Sequence, residues 1–272
     1  FKVKCVATMS QQQVVRKIRE HLRAENLLAA GQLLESSVST TNLSANQYLA
    51  PCFAGLVHKW SVTKRKDAGH YSFDVLQKMI SARCLPDTKT CTFTIAAYSK
   101  RGDIAGCQSV LDLMQSNRAE PDIVTHGSVL NCYAQARDPT SAVQYFENLL
   151  EQKVTPNIFL YNAILHSYSR TSDPASAQIW LKKMENANIS PTVQTYSTVL
   201  DAFSKNDDPI GAQNLLIEMK EKNIVANVVT YNSVLNSFGR LGDVSKSEQI
   251  FENMVSAGIA PTIVTYNSLI AA

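Results

Sequence analysis

Cysteine is scarce and unpatterned in this sequence. The six that occur, Cys5, Cys52, Cys84, Cys91, Cys107 and Cys132, make no CxxC pair, and none follows Cys132. That scatter excludes a zinc knuckle and a disulfide framework, and the residues read as small buried thiols in a reducing compartment. Long apolar runs are absent too, since none approaches the roughly 18 to 20 residues a membrane helix needs. The N-terminus lacks the charged-then-apolar layout of a secretory signal. Both ends read as cuts, because the chain starts at Phe1 and stops at Ala272 inside a recognisable helix, which leaves room for a further domain beyond Ala272.

Catalytic chemistry is missing just as plainly. There is no glycine-rich phosphate loop, no nucleophile elbow and no His-x-Glu with a Pro-Cys-x-x-Cys partner. The histidines His21, His58, His70, His126 and His166 show no metal-ligand spacing, and His126 is expected to pack. No metal, cofactor or small-molecule substrate is implied. Positive charge is thin: 26 Lys and Arg against 23 Asp and Glu give a net +3. Any binding of nucleic acid must come from a local stripe of cations.

What the sequence does have is self-similarity. Leu160-Tyr161-Asn162, Thr195-Tyr196-Ser197, Thr230-Tyr231-Asn232 and Thr265-Tyr266-Asn267 recur at a spacing of 35 residues, and stepping back reaches Thr125-His126-Gly127 and Thr90-Cys91-Thr92. Five full repeats follow, 88–122, 123–157, 158–192, 193–227 and 228–262, with a sixth begun at Ile263.

Each repeat contains two helical patterns. Tyr196, Val199, Leu200 and Phe203 fall on one helix face, as do Ala212, Leu215, Leu216 and Met219. Between the two comes an aspartate in register (Asp103, Asp138, Asp173, Asp208, Asp243), placed to cap the second helix, with Pro139, Pro174 and Pro209 at the first helical position. Pro121, Pro156, Pro191 and Pro261 are expected to stop the second helix. Small residues in register (Cys107, Ala142, Ala177, Ala212, Ser247) allow close helix approach. A lone hairpin cannot bury its apolar face, so the fold class is all-α: a right- or left-handed solenoid of stacked hairpins.

The first 87 residues carry a weaker version. Val14, Ile18, Ala30, Leu33 and Leu34 fit one degenerate hairpin over 11–45, and 46–87 a further, longer one. Its surplus falls at 60–67, a basic, Trp-bearing segment expected to be a solvated loop insertion.

The phrase Val228-Val229-Thr230-Tyr231-Asn232-Ser233-Val234-Leu235, followed by Phe238-Gly239-Arg240-Leu241-Gly242-Asp243, Phe251-Glu252-Asn253-Met254 and Pro261, resembles the pentatricopeptide repeat family with 35-residue repeats. The resemblance runs from Thr88 to the end and extends to Gln11. It implies a single-stranded RNA-binding solenoid of a chloroplast or mitochondrion, each hairpin addressing one nucleotide.

In that family the base is chosen by the residue after the Tyr of the first helix together with the last residue of the repeat. Here those pairs are Thr92 with Asp122, Gly127 with Asn157, Asn162 with Thr192, Ser197 with Asn227 and Asn232 with Thr262, and the sixth repeat begins with Asn267. A carboxylate such as Asp122 accepts the ring N–H of guanine or uracil, whereas an amide such as Asn227 donates to adenine or cytosine. A short hydroxyl such as Thr92 or Ser197 leaves room for a purine, and Asn162 and Asn232 match the family's pyrimidine choice. The implied footprint is G, any base, pyrimidine, A, pyrimidine.

The resemblance also places Val124, Phe159, Val229 and Val264 as wedges between bases, with Lys89 and Gln194 departing from that pattern. At the end of the first helix Lys100, Arg170, Lys205 and Arg240 form a basic column suited to phosphate. The competing expectation is a scaffold subunit of a large organellar assembly such as a ribosome or transcription complex, gripping proteins rather than reading bases.

Overall fold

A computed structural model describes residues 11–38 and 49–272, and every regular element among them is a helix. In chain order these are α1 (Gln11–Arg23), α2 (Leu27–Val38), α3 (Ala50–Val62), α4 (Ala68–Ser81), α5 (Thr88–Ser99), α6 (Ile104–Ser116), α7 (Ile123–Ala136) and α8 (Pro139–Glu151). There follow α9 (Ile158–Arg170), α10 (Pro174–Asn186), α11 (Val193–Lys205), α12 (Pro209–Glu221), α13 (Val228–Arg240), α14 (Val244–Ser256) and α15 (Ile263–Ile270). Cys5 and residues 39–48, the latter within the two N-terminal hairpins expected from sequence, lie outside the described residues.

The chain divides into two compact units inside α7, one ending at Cys132 and the other Tyr133–Ala272. In the first, α1 with α2, α3 with α4 and α5 with α6 are hairpins; α3 packs against both α1 and α5, and α4 lies against α5. In the second, α9 with α10, α11 with α12 and α13 with α14 are hairpins. Their first helices, α9, α11, α13 and α15, pack successively, while α10, α12 and α14 each touch the next first helix. Each unit is therefore a solenoid stack, with first helices in one layer and second helices in the other.

The apolar spacing read from the sequence is the core. Tyr196, Val199, Leu200, Ala212 and Met219 are fully buried, as are Tyr231, Val234 and Leu235 one repeat later. Each such large side chain contributes about 1.5–3 kcal/mol on leaving water. Cys107, Ala142, Ala177, Ala212 and Ser247 are buried in register, where anything bulkier would separate the paired helices. At Gly211 the approach is closer still, because a Cβ there would lie 2.3 Å from the Phe203 ring.

Helix starts follow the expected caps. Asp103, Asp138, Asp173, Asp208 and Asp243 each accept the backbone N–H of the third residue on, at 2.9–3.0 Å. Helix stops do not follow the expected prolines. The second helices end on left-handed residues, Arg118 (φ 56°), Lys153 (φ 61°), Asn188 (φ 57°) and Gly258 (φ 75°), and Pro121, Pro156, Pro191 and Pro261 come only afterwards. The Ile189 N–H donates back to the Met184 carbonyl at 3.1 Å, which closes the helix end before the proline is reached.

The segment 60–67 also differs from expectation. Trp60 belongs to the last turn of α3 and is 3% exposed, and only 63–67 connect α3 to α4. Its ring stacks on Tyr71 at 4.5 Å, with the Arg65 guanidinium 5.7 Å from its centre.

Candidate nucleic-acid interface

The closing residue of each repeat proves to be the N-cap of the next first helix. Asp122 accepts both the backbone N–H and the hydroxyl of Thr125 at 2.7 Å. Asn157 Oδ1 accepts from the N–H groups of Phe159 and Leu160 at 3.0 and 3.2 Å, and Asn227 Oδ1 from those of Val229 and Thr230 at 3.0 and 3.1 Å. Thr192 and Thr262 occupy the same N-cap position before α11 and α15. An amide whose oxygen is held by the helix presents its Nδ2, a donor, to anything beyond. Partial burial pushes the Asp122 carboxyl upward, but the hydroxyl and backbone N–H of Thr125 outweigh it and hold it below the usual carboxylate range. Asp122 is thus a fixed anionic acceptor.

Their partners lie on the preceding first helix. Asn162 Oδ1 accepts the hydroxyl of Thr195 at 2.9 Å, and Asn232 Oδ1 that of Thr265 at 2.7 Å. Thr92 and Thr125 join their hydroxyls at 2.6 Å. Ser197 instead donates to the Val193 carbonyl of its own helix at 2.8 Å, Gly127 is buried, and Asn267 is exposed.

One turn before each residue expected from sequence to read a base is an apolar side chain. Val124 is 61% exposed, Phe159 70%, Val229 52% and Val264 58%. Each lies three residues before the residue that follows the motif Tyr, so the two share a helix face. Lys89 and Gln194, which interrupt the column, are also exposed.

The basic column is engaged within the protein. Lys100 Nζ donates to the Ser61 carbonyl at 2.6 Å, and Arg240 Nη1 to the Ser204 carbonyl at 3.2 Å. Arg240 Nε also pairs with Asp207 Oδ1 at 3.0 Å, and Lys205 pairs with Asp201 and reaches Ser169 Oγ at 3.5 Å. Arg170 is half-buried, and its Nε lacks a hydrogen-bond partner. Lys100, Lys205 and Arg240 tie one first helix to the one before it, and Lys205 and Arg240 are partly neutralised by carboxylates.

Family models agree with this architecture along most of the chain. The pentatricopeptide repeat domain model matches residues 109–171 and 214–272, the PPR repeat family model 156–205, and the PPR repeat model 90–118 and 194–224. The chain belongs to the pentatricopeptide repeat family. No curated protein matches it. Among solved structures it is similar to the pentatricopeptide repeat protein PPR10 from maize, at 16% identity and a TM-score of 0.51, covering 96% of this chain and 46% of that one. It is also similar to the PPR domain of Arabidopsis thaliana protein-only RNase P 1 in complex with tRNA, at 17% identity and a TM-score of 0.53, covering 65% of this chain and 93% of that one. The chain therefore spans less than half the length of the maize protein.

Within these pentatricopeptide repeats, His126 takes the place of the motif Tyr and is buried. Burial lowers its pKa, and the neighbouring Asp122 charge opposes this only in part. Cys52, Cys84, Cys91, Cys107 and Cys132 are buried thiols, as their scatter suggested. Among the described residues no three His, Cys, Asp or Glu side chains gather to hold a metal, and no helix is long and apolar enough to cross a membrane. Sequence reasoning missed the threonines at the third position of the repeat, Thr90, Thr125, Thr195, Thr230 and Thr265. Their recurrence in five of six repeats was the available signal.

Proposed function

We propose that this chain binds single-stranded RNA with base selectivity and acts in RNA metabolism in a chloroplast or mitochondrion. The observation that carries the reading is the pairing, on first helices, of exposed apolar side chains with polar ones whose donor or acceptor character is fixed by a hydrogen bond from the next first helix. Phe159 beside Asn162 and Val229 beside Asn232 offer a base a surface to stack against and an edge to hydrogen-bond. Water-facing Phe159 has no packing role on a monomer surface, and with exposed Val124, Val229 and Val264 in the same register it offers successive surfaces for planar ligands. The tRNA complex named for a similar PPR domain accords with this class of ligand.

The footprint follows from the pairs. Thr92 with anionic Asp122 selects G; Asn157 without a partner side chain at Gly127 selects poorly; Asn162 with Thr192 takes a pyrimidine; Ser197 with the Asn227 amide takes A; Asn232 with Thr262 takes a pyrimidine. Fluorescence anisotropy of the chain with G-U-C-A-C flanked by uridines, against the same RNA with G and A exchanged, tests it. Each misread base is expected to cost about 1–3 kcal/mol. Equal binding to the two RNAs would overturn base reading. It would favour the second reading, a scaffold subunit of a large organellar assembly, for which the internally bonded cations Lys205 and Arg240 argue.

A further inference from the structure

Wherever two reading side chains are joined in this structure, a threonine joins them. Thr195 donates to Asn162 Oδ1 at 2.9 Å and accepts the backbone N–H of Thr192 at 3.1 Å. Thr265 repeats this with Asn232 at 2.7 Å and Thr262 at 3.0 Å. Thr125 donates to the Asp122 carboxylate at 2.7 Å and meets the Thr92 hydroxyl at 2.6 Å. In each case the threonine belongs to one repeat, and the pair it links is that of the repeat before. We infer that this threonine is a positioning residue that sets which face of the reading pair a base meets, an inference that rests on the RNA-reading proposal above.

Proton balance gives the reason. A hydroxyl has one proton, and a carboxamide oxygen only accepts, so the proton of Thr195 belongs to Asn162 Oδ1. The amide is thereby locked against a flip, with Nδ2 turned away from the threonine. A free amide could meet a base by either end, and its discrimination between donor and acceptor edges would average away. At Thr125 the proton goes to the carboxylate, the stronger acceptor, and the Thr92 hydroxyl, whose one proton is shared between the Thr88 carbonyl of its own helix at 2.8 Å and the Thr125 oxygen at 2.6 Å, is held between the two. Thr125, Thr195 and Thr265 are fully buried, where a hydroxyl needs such partners.

The exceptions follow the same rule. In the second repeat Gly127 has no side chain to orient, and the corresponding position after it is Leu160, which has no hydroxyl. In the fourth repeat Ser197 bonds its own helix, and the Thr230 hydroxyl closes on the Asn227 backbone, accepting its N–H at 2.8 Å and donating to its carbonyl at 2.6 Å, without reaching Ser197.

The test is anisotropy with G-U-C-A-C flanked by uridines and with the same RNA carrying A at its third base. The unaltered protein is expected to favour the first by about tenfold. Thr195→Val should reduce that ratio to about twofold or less while the first- and fourth-base preferences persist, and Thr195→Ser should keep it. Thr230→Val should leave the fourth-base preference in place. A Thr195→Val protein that still discriminates at the third base overturns the inference while RNA reading stands; a wild type blind to every base removes both. Should Thr195→Val unfold, side-chain amide NMR on the unaltered protein decides. Asn162 and Asn232 are expected to be rigid beside exposed Asn214 and Asn253, and equal mobility overturns the inference.

Discussion

The hydroxyl of Thr195 lies 2.9 Å from Oδ1 of Asn162, 33 residues earlier, and so couples the start of one first helix to the helix before it. The contact is at once a stacking contact between repeats and a restraint on a side chain proposed to read a base. On that proposal stability and base choice share atoms, and substitutions that separate them test it.

Asn227 offers the cleanest separation. Its Oδ1 caps α13 through Val229 and Thr230, while its Nδ2 is the proposed adenine donor. Asn227→Ala should cost about 0.5–2 kcal/mol of stability, because two helix N–H groups lose their acceptor. Asn227→Ser keeps a capping oxygen but not the amide. Chemical denaturation is expected to show it near wild type, while anisotropy shows the fourth-base preference for A gone.

How far the sequence speaks depends on whether a residue's partners are local. Tyr196, Val199 and Leu200 were legible because a period within one helix marks them, and Asp208 because its cap spans a few residues. The capping role of Asp122 and Asn227 was hidden by placing them at the end of a repeat, although the helix they serve belongs to the next. Stops at Arg118 and Lys153 carry no compositional mark, since a left-handed non-glycine residue is held there by the turn around it. The charges at Lys64, Arg65 and Lys66 disguised Trp60, whose burial depends on Tyr71 across the hairpin.

Close packing sets a second expectation. A Cβ at Gly211 would lie 2.3 Å from the Phe203 ring, and one at Gly106 equally close to the Tyr98 ring. Gly211→Ala must push Phe203 out of place, and a loss of about 1–3 kcal/mol is expected despite the better helix propensity of alanine. The thermal midpoint should fall; a rise would show that the ring yields freely.

Lys222 links two second helices through Glu185 at 2.6 Å and Glu218 at 2.7 Å. Partial burial works against its charge, but the hydrogen bonds to Glu185 and Glu218 outweigh it and hold the ammonium in the charged form. The group is more than one-third exposed, so solvent screens the pair and Lys222→Met should cost only about 0.2–1 kcal/mol. Repeating the urea titration in 1 M salt should shrink the difference between the two proteins, whereas an unchanged gap would assign the loss to packing.

Acid should destabilise the chain through two half-buried or buried histidines. Burial lowers the pKa of His126, and burial reinforced by the Arg170 and Lys205 charges lowers that of His166. A histidine whose folded pKa lies below its unfolded value, about 6.5, favours the fold while it stays neutral. That contribution is complete above about pH 6.5 and declines as pH falls towards the folded pKa, because the unfolded chain takes up the proton first. His126→Tyr restores the residue that Tyr161, Tyr196 and Tyr231 supply in other repeats and removes one titrating group. Urea midpoints measured from pH 7.5 down to 5.5 should therefore fall less steeply for His126→Tyr than for the unaltered protein, and parallel curves would clear His126 of any part in acid sensitivity.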